Sequence, residues 1–280
     1  MRAFNEFKNA PADFWAFIKF ISEQLGYSKR RSGVVSKYTR NEIENLCRET
    51  GTFVDNNLVN AALAYTNMRA DLLNDTVEHN LMNGETAKHY FENIYYPIHE
   101  KNHFFCKTPF NKQKGAMKQI AYFTSIINIL AEQTIREITN DNHSLGFDDD
   151  PRGLVYIRDE NGRIIGASSR RFDGAYPSIQ NPSIVWEIKE YYYATTFGSR
   201  VADGVYETQL DGYEFNDVFN RTGYKAYHIL FVDAYRTWWI QGKSYLCRLV
   251  DALNSGAIDE LIIGKEVFKR WPEILHELIQ

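Results

Sequence analysis

The hydrophobic period changes once along the chain, near Leu154, and that change limits the fold more than any other feature. Upstream, apolar residues recur every three or four positions, the helical period. Downstream they gather in short alternating or continuous runs, as in strands. Five such runs follow: "LVYIRD", "IIGASSRRFD", "SIVWEIKEYYY", "YKAYHILFVDA" and "DELIIG". The first two are joined by "ENGR", whose Asn161-Gly162 pair signals a hairpin. Two helical stretches, "ADGVYETQLDGYEFNDVFN" and "KSYLCRLVDALNSG", separate the later runs. This order predicts an α/β protein of the mixed α+β kind, with a sheet flanked by helices.

The upstream part reads as helices. "PADFWAFIKFISEQLG" stops at Gly26, and Thr39 with Glu42 forms a capping box ahead of a second helix. "NLVNAALAYTNMRADLL" and "ETAKHYFENIYYPIH" continue the pattern, and a long helix is expected from about Lys114 to Thr139. The expected division is a helical region over residues 1–110 and a second region over 111–280. Charge follows it. Residues 1–120 hold 16 Lys+Arg against 13 Asp+Glu, and the remainder holds 16 against 23. The chain is therefore no polycation, but its N-terminal part leans basic.

No apolar run is long enough to span a bilayer, and "MRAFNEFKNAPADFW" lacks a signal peptide's apolar stretch. Cys47, Cys106 and Cys247 are far apart and without metal spacing. The expectation is a cytoplasmic protein with reduced thiols and no membrane partner.

The third strand poses the chemical question. Glu187 and Lys189 interrupt its apolar run two residues apart, so they share one face while Trp186 and Ile188 share the other. A charge on a core strand needs a partner. Mutual pairing at the solvated end of an edge strand is one solution. Another uses Asp173, which ends the preceding strand across a loop rich in Gly and Pro. Asp173 and Glu187 can then meet, and two such carboxylates suit Mg²⁺, with Mn²⁺ as a substitute. Lys189 would orient or deprotonate an attacking water and offset charge on phosphorus.

In these residues the chain resembles the PD-(D/E)xK nuclease superfamily, over roughly residues 114–264. The resemblance implies a restriction-endonuclease-like αβββαβ core, with the aspartate ending the second strand and E-x-K in the third. Phe172 stands where the family's proline would be. It further implies that Asp173 and Glu187 hold the metal and that Lys189 is catalytic. Gln209 and Tyr213, four apart on the following helix, are similar to the Q-x-x-x-Y pair of the RecB-like branch. As in some members, the long helix would supply one more acid, Glu132 or, second to it, Glu137.

Phosphate contacts need Lys and Arg. Arg170, Arg171, Arg200, Arg236 and Lys243 are candidates beside the site. The run "SKRRSGVVSKYTR", with Arg30, Arg31, Lys37 and Arg40, reads either as a DNA-reading element before the capped helix or as a solvated loop. His228 and the other histidines read as structural. The expected function is a Mg²⁺-dependent endodeoxyribonuclease acting on double-stranded DNA as a homodimer, a type II restriction endonuclease first among its kinds. Tyr191, Tyr192, Tyr193, Trp238 and Trp239 are candidates for covering the dimer interface. Another phage-defence or repair nuclease of RecB-like kind, or a non-catalytic DNA-binding protein, stands as the alternative.

Overall fold

The computed structural model describes residues 1–28, 33–140, 146–193 and 198–279. Three helices, α1 (Ala12–Leu25), α2 (Arg40–Thr50) and α3 (Asn56–Asp71), open the chain. They close round a core that includes Phe14, Ile18, Ile43, Leu46, Val59 and Tyr65. The capping box starts α2 as expected: Glu42 N–H donates to Thr39 Oγ1 at 3.3 Å, and Thr39 N–H donates back to Glu42 Oε2 at 2.7 Å.

Short helices α4 (Glu78–Asn80), α5 (Gly84–Tyr90) and α6 (Tyr96–Lys101) lead to α7 (Tyr122–Thr139). The long helix thus starts eight residues later than Lys114. Gly115–Met117 is a separate 3₁₀ turn, and Phe110 bridges Ile120 just ahead of α7. Met82, Ala87, Phe91 and Tyr95 pack in one cluster with Phe123, Ile126 and Trp186. Residues 82–106 therefore bury their apolar side chains with the sheet rather than with the first three helices.

The sheet region is mixed α/β. Strands β1 (Tyr156–Arg158) and β2 (Ile164–Ala167) form the antiparallel hairpin announced by Asn161-Gly162. A four-stranded sheet then runs β3 (Gly174–Tyr176), β4 (Ile184–Glu190), β5 (Tyr227–Asp233) and β6 (Glu260–Ile263), in that spatial order. The β3–β4 pair is antiparallel; β4–β5 and β5–β6 are parallel. Helix α8 (Ser199–Thr222) connects β4 to β5, α9 (Lys243–Asn254) connects β5 to β6, and α10 (Val267–Leu278) closes the chain.

One expected strand is cut short, and a short strand, β3, forms in the stretch expected to be a loop. "IIGASSRRFD" leaves the ladder at Ser168, whose hydroxyl accepts from Val155 N–H at 3.0 Å and donates to Arg170 O at 2.7 Å. Side-chain hydrogen bonds of this kind compete with a strand ladder. The chain first joins β4 at Asp173, whose N–H donates to Trp186 O at 3.1 Å. Asp173 thus precedes a short strand instead of ending a long one.

The faces of β4 divide as alternation requires. Ile184, Trp186 and Ile188 join the cluster with α7 and α10. Leu230 and Val232 of β5 face the cluster containing Val201 and Val205 of α8 and several α9 residues. A buried ion pair joins the opening helices to this layer: Arg69 Nη1 lies 2.8 Å from both carboxylate oxygens of Asp251. Trp238 and Trp239 are buried within the fold, so they are core residues and not interface cover. Among the described residues no helix is long and apolar enough to cross a membrane.

Candidate functional site

The β3 ladder stops at Trp186 and β5 runs beside Glu187 and Lys189 on the other side, and neither residue sits on a solvated edge. Each residue is 6% exposed. They share a face and meet: Lys189 Nζ donates to Glu187 Oε1 at 2.7 Å. Asp173 is fixed on the adjoining backbone, where its Oδ2 accepts from Ile188 N–H at 2.8 Å. The close approach depends on Gly174. A Cβ there would lie 2.0 Å from the Trp186 ring, so any larger residue would push β3 off β4. Gly204 of α8 does similar service for Lys189, whose Cε would lie 3.3 Å from a Cβ at that position.

Two acids from α8 complete the cluster. Lys189 Nζ donates to Glu207 Oε2 at 2.6 Å. Arg170 forks onto Glu187, with Nη2 to Oε1 at 2.6 Å and Nη1 to Oε2 at 3.1 Å. It also reaches Asp211 Oδ2 at 3.0 Å and Glu207 Oε2 at 3.2 Å. Asp211 is 1% exposed, and its Oδ1 has no hydrogen-bond partner among the described residues. Asp173, Glu187, Glu207 and Asp211 face two cations, Arg170 and Lys189. With every group ionised, the formal charge of the cluster is −2.

The electrostatics follow from that surplus. Burial pushes the Glu187 carboxyl up, Asp173 adds to the push, and Lys189 and Arg170 oppose it. Burial likewise raises Asp211 to about 7, with Arg170 offsetting part of the rise. For Lys189 burial acts downward, but Glu187, Tyr191 and Glu207 overcome it and hold the ammonium above its ordinary value. In this arrangement Lys189 is a cation that can orient water and stabilise an anion.

The cluster opens on a cavity of about 890 Å³ that Asp173, Glu187 and Arg170 line. Arg171 and Arg200, both expected near the site, line it and are exposed. Lys112 and Arg152 also line it, from connectors that sequence reading left unassigned. Glu190, at the end of β4, reaches the same cavity and accepts from Thr124 N–H at the start of α7 at 2.9 Å. Burial raises Glu190 to about 7 against those helix-terminal amides.

Several expected residues are engaged elsewhere. Glu132 accepts from the N–H groups of Phe105 and Cys106, at 2.9 and 2.7 Å, and pairs with Arg136. It fastens the connector to α7 and does not line the cavity. Glu137 is exposed and accepts from Gln133. Gln209 is exposed and Tyr213 is 70% exposed, so neither joins the cluster. The buried stripe of α8 runs Val201, Val205, Thr208, Asp211, Phe215, Val218. Helical spacing alone would have exposed Asp211 as the charge on the inward face.

Arg170 is committed to carboxylates rather than free for phosphate. Lys243 is buried, donates to Trp239 O at 2.7 Å and lies over the Trp239 ring. Arg40 ties α2 to α3 through Asn56 and Asn60, and Lys37 pairs with Asp71. Arg30 and Arg31 lie outside the described residues. His228 is structural as expected: it is buried, packs edge-on to Phe172, and burial lowers it to about 4.

Oxygen donors of this kind suit a hard divalent cation. Among the described residues, no three His, Cys, Asp or Glu side chains converge closely enough to hold a metal ion by themselves. Two protein carboxylates, with waters and a substrate phosphate, would supply the ligands. Arg170 and Lys189 occupy both oxygens of Glu187, so a cation there would require Arg170 to yield.

Residues 82–278 match the family described as Domain of unknown function (DUF7687), and the chain belongs to that family. Residues 1–76 match a second family, described as Domain of unknown function (DUF7690). No curated protein and no solved structure matches the chain.

Proposed function

For this member of the DUF7687 family, we propose a divalent-metal-dependent nuclease with a restriction-endonuclease-like core. One observation carries the reading. An acid and an ammonium lie buried side by side on one strand, next to Asp173, in a cluster of four carboxylates and two cations of which Asp173, Glu187 and Arg170 line a cavity. A structural ion pair has no need of the surplus, whereas a cation-binding site does. The order of elements supports the resemblance in part: α7 precedes the strands and Asp173 is followed by E-x-K, but E-x-K lies on the fourth strand and Asp173 precedes the third.

In this reading Asp173 and Glu187 hold Mg²⁺ or Mn²⁺. The bound ion would polarise the phosphate and acidify a water. Lys189, kept protonated, stabilises charge developing on the phosphate. Arg171, Arg200 and Lys112 line the approach and neutralise flanking phosphates, so DNA is the substrate. One such centre serves one scissile phosphate, and a two-fold homodimer would serve both strands of a duplex.

The test is cleavage of closed circular duplex DNA by the full chain with Mg²⁺ and with EDTA. Nicked or linear product with Mg²⁺ alone is the expected result. Light scattering with and without DNA reports the dimer. Absence of cleavage with both Mg²⁺ and Mn²⁺ would sink the nuclease and favour a DNA-binding protein that keeps the fold without chemistry.

A further inference from the structure

We infer that Arg170 and Asp211 are positioning residues that work as an exchange. Arg170 holds Glu187 until a divalent cation takes that carboxylate, and Asp211 then receives the displaced guanidinium. The inference rests on the metal-dependent reading of the same site.

Both Glu187 oxygens are engaged, Oε1 by Lys189 and by Arg170, Oε2 by Arg170. A cation gains the carboxylate only when a base leaves it. Lys189 is the less movable of the two. It stands two residues along the same strand, its side chain is 8% exposed, and Glu207 holds it at 2.6 Å. Arg170 comes from the irregular segment between β2 and β3, and its side chain is 20% exposed.

Arg170 already has a second anchor. Its Nη1 donates to Asp211 Oδ2 at 3.0 Å while the neighbouring Oδ1, buried, accepts nothing among the described residues. A guanidinium carries donors in a fixed fork that matches both oxygens of a carboxylate. Moving the fork from Glu187 to Asp211 gives Oδ1 its missing donor and frees Glu187. A buried acceptor left unsatisfied is costly, so the exchange relieves a defect of the resting arrangement. The cluster's charge of −2 is then met by the ion.

The measurement is Mn²⁺ binding to the full chain without DNA, by calorimetry and by the Mn²⁺ electron paramagnetic resonance signal. Arg170→Gln removes the competitor and should tighten Mn²⁺ binding about tenfold, as expected when a competing state is held nine-tenths of the time. Asp211→Asn removes the receiving carboxylate and should weaken binding. In Arg170→Gln the further change Asp211→Asn should have no effect, because Asp211 acts through Arg170. Arg170→Lys, which keeps the charge but loses the fork, should fall between wild type and Arg170→Gln. It serves as the second variant if Arg170→Gln does not fold.

Equal or weaker Mn²⁺ binding by the Arg170 variants overturns the exchange. So does an Asp211→Asn loss that persists undiminished in the Arg170→Gln background, since Asp211 would then be a direct ligand. Cleavage is a separate readout. A wild-type chain that cuts DNA while the Arg170 variants bind Mn²⁺ no tighter defeats the exchange and leaves the nuclease. Tighter binding by the variants with no cleavage by wild type defeats the nuclease and leaves the exchange.

Discussion

Two of the buried ion clusters among the described residues are built differently. At the seam between the opening helices and α9, Arg69 faces Asp251, Tyr65 Oη donates to the same carboxylate at 2.6 Å, and Arg69 Nη2 donates to Ser22. One cation meets one anion, and the guanidinium is 1% exposed. Under the cavity, two cations meet four carboxylates and the group opens to solvent; each cluster leaves one buried polar atom without a partner among the described residues, Arg69 Nε at the seam and Asp211 Oδ1 here. The balanced cluster has what a structural joint needs. Imbalance beside a cavity has no structural use, because burying surplus charge costs stability.

The comparison can be broken most directly at Glu187. Glu187→Gln should lower cleavage about 10⁴-fold, some 5 kcal/mol on the barrier, if it holds the cation. Its unfolding free energy should move far less, because it removes one charge from an over-acidic group. A strongly destabilised but active variant would make the cavity cluster a joint as well.

The converse holds at the seam. Arg69→Met leaves Asp251 buried and unpaired and should cost about 4 kcal/mol in denaturant unfolding. Pairing it with Asp251→Leu should recover much of the loss. Cleavage per folded molecule should stay near wild type in both variants.

A third test concerns His228, buried behind the cavity cluster. Burial holds it near 4 in the folded chain, against about 6.5 when unfolded. The unfolded chain therefore binds more protons between those values. His228 costs nothing above about pH 6.5, and stability falls as pH drops toward 4, by ~3 kcal/mol in total. His228→Phe should flatten that part of the pH–stability curve. An unchanged slope would mean that His228 is not held neutral.

The smallest effects belong to the rim. Arg171→Ala and Arg200→Ala should each reduce the slope of log affinity for DNA against log salt by about 0.9 and leave the protein's stability unchanged. Lys37→Ala, far from the cavity and paired with Asp71, should change neither. A loss of salt dependence in Lys37→Ala instead would move the DNA contact to the opening helices.

Local rules made a good part of the molecule legible. The period change, the capping box at Thr39 and Glu42, the Asn161-Gly162 hairpin and the shared face of Glu187 and Lys189 depend on residues close in sequence, where spacing fixes geometry. The buried stripe of α8 was equally readable, and it points to Asp211; the Gln209–Tyr213 spacing gave a face that turned out to be solvent. Other features had no local cause. The break of the second strand at Ser168 needs Val155 thirteen residues away. Glu132 is satisfied by Phe105 and Cys106, and Lys243 by Trp239 and the layer around it. Arg170 reads from sequence as a free cation beside the site, and only the packing of α8 against β4 brings Glu187, Glu207 and Asp211 around it. A charge's role depends on which other charges share its low-dielectric neighbourhood. Chain spacing fixes that set only within one helix or strand; across elements it is fixed by packing.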